Sequence, residues 1–354
     1  MRMSNRRHTA VVASAAVLPW LAASLFGLSA AAQPRGLVSV QTEKAPVIDG
    51  IAEEVWNNAP AFTFPMEKSV YEPSNGYKGM KKTSIMMKSL YDAENIYFLV
   101  EWTDPTESLE LQPWVKQSDG SWKQLRNPDS TGSENTYFQD KLGLIWNMNG
   151  RDFEMRGCSA VCHKARNGSL MGVPEKLPAR KYTNSPGELA DVWQWEAVTT
   201  NPVGQLEDGY IDNNRDLKKN PNWGLSLDHS NGGGTVPNEA GSKPAFMNAA
   251  PGGPKYWVLG DAKAPFADTF KAGDTVGSVV VSRSTGSRGD VEAKGLWKAG
   301  KWTLEIKRKR ATASPKEDVQ FTDAKKAYVF GISVFDNSQI NHLYTEDVHK
   351  LTFK

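Results

Sequence analysis

Two thiols and an imidazole fall within one short run, Gly157-Cys158-Ser159-Ala160-Val161-Cys162-His163, and Cys158 and Cys162 are the only cysteines in the 354 residues. A c-type haem calls for these groups together: two thiols to form thioethers with the vinyl groups, and a neighbouring imidazole to bind the iron. The spacing is C-x-x-x-C-H, one residue longer than the usual C-x-x-C-H. Other readings account for the residues less well. A disulfide across three residues closes a small ring that recovers little loop entropy and strains easily. Zinc would take four ligands, and the remaining histidines beyond the N-terminal segment, His229, His342 and His349, are isolated and without a second cysteine pair. The expectation is one covalently bound haem c, attached through Cys158 and Cys162, with His163 as the proximal ligand of the iron.

The N-terminus supplies the compartment in which such attachment occurs. Arg2, Arg6 and Arg7 form a basic start, an apolar stretch runs from about Thr9 to Leu28, and Ala30-Ala31-Ala32 offers a small-residue cleavage site. Residues 1–32 therefore read as an export signal, with Gln33 the first mature residue and a periplasmic destination. Retention of the leader as an anchor is the alternative; Pro19 interrupts the stretch, and no stable membrane insertion is expected. Removing the leader leaves about 39 basic residues against 40 acidic ones, a balance that argues against nucleic acid or an anionic membrane surface as partner.

The elements that position these groups read as strands. Twelve tryptophans, 30 glycines and 20 prolines favour strands and turns over long helices. Thr83–Leu90, Ile96–Trp102, Lys141–Trp146, Val192–Ala197, Val276–Ser282, Trp302–Lys307 and Ala327–Phe335 are β-branched or aromatic runs bounded by turn residues, and no sustained helical period appears outside the leader. The fold class is all-β: residues 33–354 form an antiparallel β-sandwich with long loop insertions. Residues 201–255, dense in Gly, Asn, Asp and Pro, read as one such insertion, and Asp104–Gly132 as a second polar excursion anchored by Trp114 and Trp122. Trp193 and Trp195 alternate with Gln194, which puts both indoles on one sheet face, in the core. The run Lys307-Arg308-Lys309-Arg310 reads as a solvated strand end.

Ala45-Pro46-Val47-Ile48-Asp49-Gly50, then Glu54-Val55-Trp56 and Ala59, resembles the opening of the family-9 carbohydrate-binding β-sandwich. Asn95 to Pro105 (NIYFLVEWTDP), Gln139-Asp140-Lys141-Leu142, Asp191-Val192-Trp193-Gln194-Trp195, Gly286 to Val291, Gly300-Lys301-Trp302 and Phe335-Asp336-Asn337 follow in order. Together, from about Val38 to Lys354, these segments resemble the haem-binding subunit family of ethylbenzene dehydrogenase. The resemblance implies a sandwich that holds one haem and exchanges electrons with a partner, a molybdenum-containing oxidoreductase or another cytochrome. In that family the haem is b-type, held by a methionine in a Phe-x-Met-Gly-like segment and a lysine near the C-terminus. Here the first segment reads Phe153-Glu154-Met155-Arg156-Gly157 and runs into Cys158, so His163 takes the place of Met155 on the iron. The lysine segment corresponds to Asn341-His342-Leu343-Tyr344, which makes His342 the distal ligand, with Met155 as the alternative and His229, His349 and Met247 behind it.

The reading is thus an electron-transfer cytochrome rather than an enzyme. A haem enzyme or gas sensor with an open sixth position, and a haem-free carbohydrate-binding module, are the alternatives. Covalent attachment has a direct check. Haem produced with the protein should stay with the chain through acid-acetone extraction and denaturing electrophoresis, and C158A/C162A should lose it; full haem staining of the double variant would dispose of the motif.

Overall fold

The computed structural model describes residues 36–164, 179–216 and 224–354, together with the backbone of 169–170 and 173–174. The export signal assigned to residues 1–32 lies outside the described residues. The elements that matter for the site are, in chain order, β1 (Leu37–Gln41), β2 (Phe62–Met66), β3 (Thr83–Tyr91), β4 (Asn95–Thr103), β5 (Lys141–Asn147), α1 (Arg151–Arg156), β6 (Cys162–Lys164), β7 (Ala179–Lys181), β8 (Ala190–Glu196), β9 (Glu207–Ile211), β10 (Leu225–Leu227), β11 (Glu292–Trp297), β12 (Lys301–Lys309), β13 (Tyr328–Phe335), β14 (Leu343–Tyr344) and β15 (His349–Phe353).

One layer runs β10-β9-β8-β5-β13-β15 and the other β3-β4-β12-β11, with β2 beside β3. β1 joins them, pairing in parallel with β15 on one side and with β3 on the other. Every other pairing among these strands is antiparallel. The result is the β-sandwich, folded over at β1. Aromatic side chains fill the space between the layers: Phe98 of β4 lies 5.4 Å from Trp146 of β5, and Trp102 of β4 lies 5.9 Å from Trp195 of β8. Trp193 and Trp195 are both fully buried in this core, as their alternation with Gln194 requires. Truncating one such indole to alanine costs about 3–5 kcal/mol. The β11–β12 hairpin turns on Ala299 and Gly300, both at positive φ, and sets Trp297 opposite Trp302.

The stretch 201–255 is more regular than its composition implies. Its first half contributes β9 and β10 to the edge of the first layer, where β9 buries Ile211 on one face and Asp208, beside Asp191 and Arg308, on the other. The remainder, with 256–290, builds small outer sheets. Trp114 and Trp122 do anchor the other excursion, packing with Val276, Phe266 and Phe270.

The basic run at the end of β12 is not simply solvated. Strand alternation turns Arg308 inward, where its guanidinium donates to Asp191 at 3.0 Å and pairs with Asp318 at 3.1 Å, all three being buried. Arg310 lies over the rings of Tyr91 and Phe353. Burial pushes the Asp191 carboxyl up to about 6, with Arg308 pulling it down. Arg308→Met would leave the carboxyls without their cation, and urea unfolding should show a loss of about 3–5 kcal/mol. A loss below about 1 kcal/mol would mean that the carboxyls need no positive partner.

Candidate functional site

The alternation that points Leu142, Leu144 and Trp146 into the core turns Gly143 and Ile145 to the outer face of the first layer, and it does the same for Val192 and Gln194 on β8. On that face lies a cavity of about 780 Å³, within the range that holds a cofactor-sized ligand. Gly143, Ile145, Val192, Ile211 and Ile332 contribute to its walls from the sheet. The chain that leaves β5, turns through α1 and returns as the β6–β7 hairpin contributes Cys158, Cys162 and His163, and the loop after β13 contributes His342.

Cys158 follows α1 on a single 3₁₀ turn, Gly157–Ala160, and approaches the sheet closely. A Cβ at Gly331 would stand 2.6 Å from Cys158 Cβ and 3.1 Å from its Sγ, so only glycine at this point of β13 admits the cysteine. Both thiols are free. Burial, then the neighbouring Cys162, pushes the Cys158 thiol up to about 12, so it stays protonated at neutral pH. Cys162 and His163 open β6, which pairs with β7 in the register Lys181↔Cys162 and Arg180↔His163. The His163 ring stacks on Tyr182 at 3.6 Å with an angle of 3° between the planes, and its Nε2 lies 3.1 Å from the Tyr182 carbonyl.

His342 is delivered by a different device. Burial, then the charge of Lys181, lowers its pKa to about 3, so the ring is neutral across the physiological range. Nδ1 donates to the Ile340 carbonyl at 2.8 Å, which fixes the tautomer and leaves the lone pair on Nε2. The loop holding that carbonyl is gripped by one buried carboxylate. Glu134 accepts the backbone N–H groups of Gln339 at 2.5 Å, Ile340 at 3.0 Å and Asn341 at 2.7 Å, and the Ser338 hydroxyl at 2.8 Å. Three successive amides around a carboxylate form an anion nest, and each charge-assisted bond is stronger than a neutral one.

The structure therefore brings Cys158, Cys162, His163 and His342 to one cavity. The other candidates stand elsewhere. Met155 is 71% exposed and does not line the cavity, because α1 turns Phe153 inward and so faces Met155 outward. His229 is exposed and bonded to Asn231, and Met247 pairs opposite Ala264 in an outer hairpin. His349 is buried against Phe62, Phe64 and Phe330 in the core. Reading the sequence missed Glu134, Gly331, Tyr182 and the cations of the rim. Only the rim had a signal, since Arg156, Lys164 and Lys181 lie beside the motif or on the hairpin that follows it; Glu346 is the carboxylate on the same lining.

A model of the ethylbenzene dehydrogenase family matches residues 53–346. No curated protein matches the sequence. Among solved structures the chain is similar to a family-9 carbohydrate-binding module from Caldicellulosiruptor kristjanssonii, in complex with glucose at 11% identity and a TM-score of 0.32, and in complex with cellotriose at 10% identity and 0.33. The alignments cover 90% of this chain and 95% and 93% of those chains. Among the described residues no helix is long and apolar enough to cross a membrane.

The Glu134 grip predicts where the loop will loosen. Glu134→Gln offers one carbonyl oxygen in place of two and sets an NH₂ against N–H donors, so amide exchange over 338–345 should speed up roughly tenfold to a hundredfold. Hydrogen–deuterium exchange measured by mass spectrometry would read it; unchanged protection there would mean that the loop is held by other contacts.

Proposed function

This chain belongs to the ethylbenzene dehydrogenase family, and from that premise we propose that it is an exported monohaem c-type cytochrome that carries electrons to or from an oxidoreductase partner. The observation that carries this reading is that both thiols and two imidazoles, from distant parts of the sequence, line one cavity whose sheet wall is largely apolar.

The donor set fits a covalently attached haem. Cys158 and Cys162 are unpaired, and His342 is neutral, with Nδ1 donating to a backbone carbonyl, as in histidines that ligate metals through Nε2. Among the described residues of the lining, Arg156, Lys164 and Lys181 outnumber the carboxylate of Glu346 and suit the two propionates. His163 fits by residue type, and its ring has to leave the Tyr182 carbonyl to present Nε2. Cys158 and Cys162 would hold haem c through thioethers, His163 and His342 would hold its iron, and the group would supply one-electron transfer.

The chain's own residues do the rest. The nest around Glu134 orients His342 in advance, so that ligation costs little further ordering. The sheet face excludes water from one side of the cavity, which favours the less charged redox state. Two imidazoles on the lining, His163 and His342, would both be available to hold the iron, which supports a carrier over an enzyme. A periplasmic location agrees with the leader, and the family supports a redox partner in an oxidoreductase complex.

His342→Ala decides between carrier and enzyme. Ferric wild-type protein loaded with haem should be low-spin with bis-imidazole character, without the long-wavelength band of methionine ligation. His342→Ala should turn high-spin and bind cyanide rapidly, and His229→Ala should match wild type. Rapid cyanide binding to the wild type would favour the open-site enzyme or sensor, and a wild-type spectrum in His342→Ala would remove His342 from the iron.

A further inference from the structure

Among the described residues the sandwich contains two triads of buried aspartates, and they are balanced differently. In each, one carboxylate oxygen from every residue lies within 4.8 Å of the others. Asp191, Asp208 and Asp318 surround the guanidinium of Arg308. Asp104, Asp140 and Asp336 have no such partner: among the described residues no lysine, arginine or histidine forms an ion pair with any of them. All three are buried, Asp104 and Asp140 completely.

The neutral donors around the second triad leave it unfinished. Asp140 accepts the Ser108 amide at 2.8 Å, the Asn337 amide at 3.0 Å and the Trp302 indole at 3.2 Å. Asp336 accepts the Met80 amide at 2.7 Å and the Thr106 hydroxyl at 3.4 Å. Asp104 Oδ1 accepts the Thr106 amide at 3.1 Å, whereas Asp104 Oδ2 is wholly buried and has no partner in hydrogen-bond geometry; the donor near this carboxyl is the Trp102 indole N–H, which is itself unsatisfied. An unpartnered carboxylate oxygen in a protein interior is among the most costly arrangements available, and it is rare unless something fills the gap.

We propose that Asp104, Asp140 and Asp336 form a binding site for a divalent cation of the calcium class, which does for this triad what Arg308 does for the other. Every donor at hand is a hard oxygen, without thiolate or imidazole, and this selects against zinc and copper. Calcium–oxygen bonds of about 2.4 Å reach donors up to about 4.8 Å apart on opposite sides of the ion, so three oxygens that all lie within 4.8 Å of one another are within reach of one such ion. The Thr106 and Ser108 hydroxyls, 3.5 Å apart beside the carboxylates, are further oxygens within the same loop. Burial, and for Asp104 and Asp140 also their carboxylate neighbours, pushes all three carboxyls up, in keeping with a site that is incomplete as protein alone. Such an ion would tie the end of β4 and the start of β5 to the first residue after β13, where the loop to His342 begins.

The test needs no haem and stands apart from the proposed electron transfer. The full mature chain is stripped with chelator, desalted and titrated with calcium, with bound metal measured by mass spectrometry and stability by thermal unfolding. One calcium per chain should be retained, and at a hundredfold excess over the dissociation constant the midpoint should rise by about 4 °C. Asp104→Asn should abolish both effects, yet in chelator unfold no earlier than wild type, because it removes a buried charge that then has no counterion. If that variant fails to fold, Asp336→Asn carries the same comparison, and the wild-type titration stands by itself. Absence of calcium uptake by the stripped wild type, or uptake unchanged in Asp104→Asn, would overturn the site.

Discussion

Glu134, Glu305 and the two aspartate triads are carboxyls removed from water inside a sandwich packed with tryptophan, and each has to be matched locally because the interior screens so little. Glu305 is matched by the opening of the chain: the Trp56 indole donates to one oxygen at 2.8 Å, and the Asp49 and Gly50 amides donate to the other. Glu134 is matched by the nest before His342, and the Arg308 triad by a guanidinium. Each match draws together segments far apart in sequence, so these charges specify the connections of the sandwich more than they stabilise it. A buried pair can often be replaced by apolar residues without loss of stability, but a half-match cannot be tolerated.

The cavity follows from the same economy of positions. A sheet layer with one face in the core presents its alternate residues outward; Gly143 keeps that outer face low on the cavity lining, and Gly331 does so where Cys158 approaches. Two excursions then meet over it: the α1–β6–β7 segment, fixed to the sheet through the fit of Cys158 against Gly331, and the loop from Asp336 to His342, fixed by Glu134. The site is therefore as rigid as its two anchors.

The period-two pattern made the long strands legible. Thr83–Leu90, Ile96–Trp102, Lys141–Trp146 and Trp302–Lys307 fall within observed strands, Ala327–Phe335 overruns its strand by one residue at the start, and the core assignment of Trp193 and Trp195 holds. The fold-over at β1 was not legible, since a five-residue strand pairing in parallel with both its neighbours has no local signature. Arg308 was misread because a basic run looks solvated until alternation is applied to it. Glu134 was invisible: its partners on the His342 loop lie more than two hundred residues away and are, apart from the Ser338 hydroxyl, backbone amides, which no side-chain pattern encodes. Likewise Asp104, Asp140 and Asp336 each sit in a recognisable segment, but only the closed sheet brings their oxygens together.

The constraint on buried charge also bears on what the two cysteines can become. A thiolate at Cys158 would add an anion to an apolar wall, and the upward shift of its pKa expresses that cost. Thiolate chemistry at this position, whether metal binding or disulfide exchange, thus works against the surroundings. A thioether is uncharged, needs no counterion and is close to methionine in polarity, so it suits the contact with Gly331 and Ile145 better than any charged product of the same sulfur. The proposed attachment therefore leaves the rim cations free to meet the charge of the group inside, because its anchors bring none.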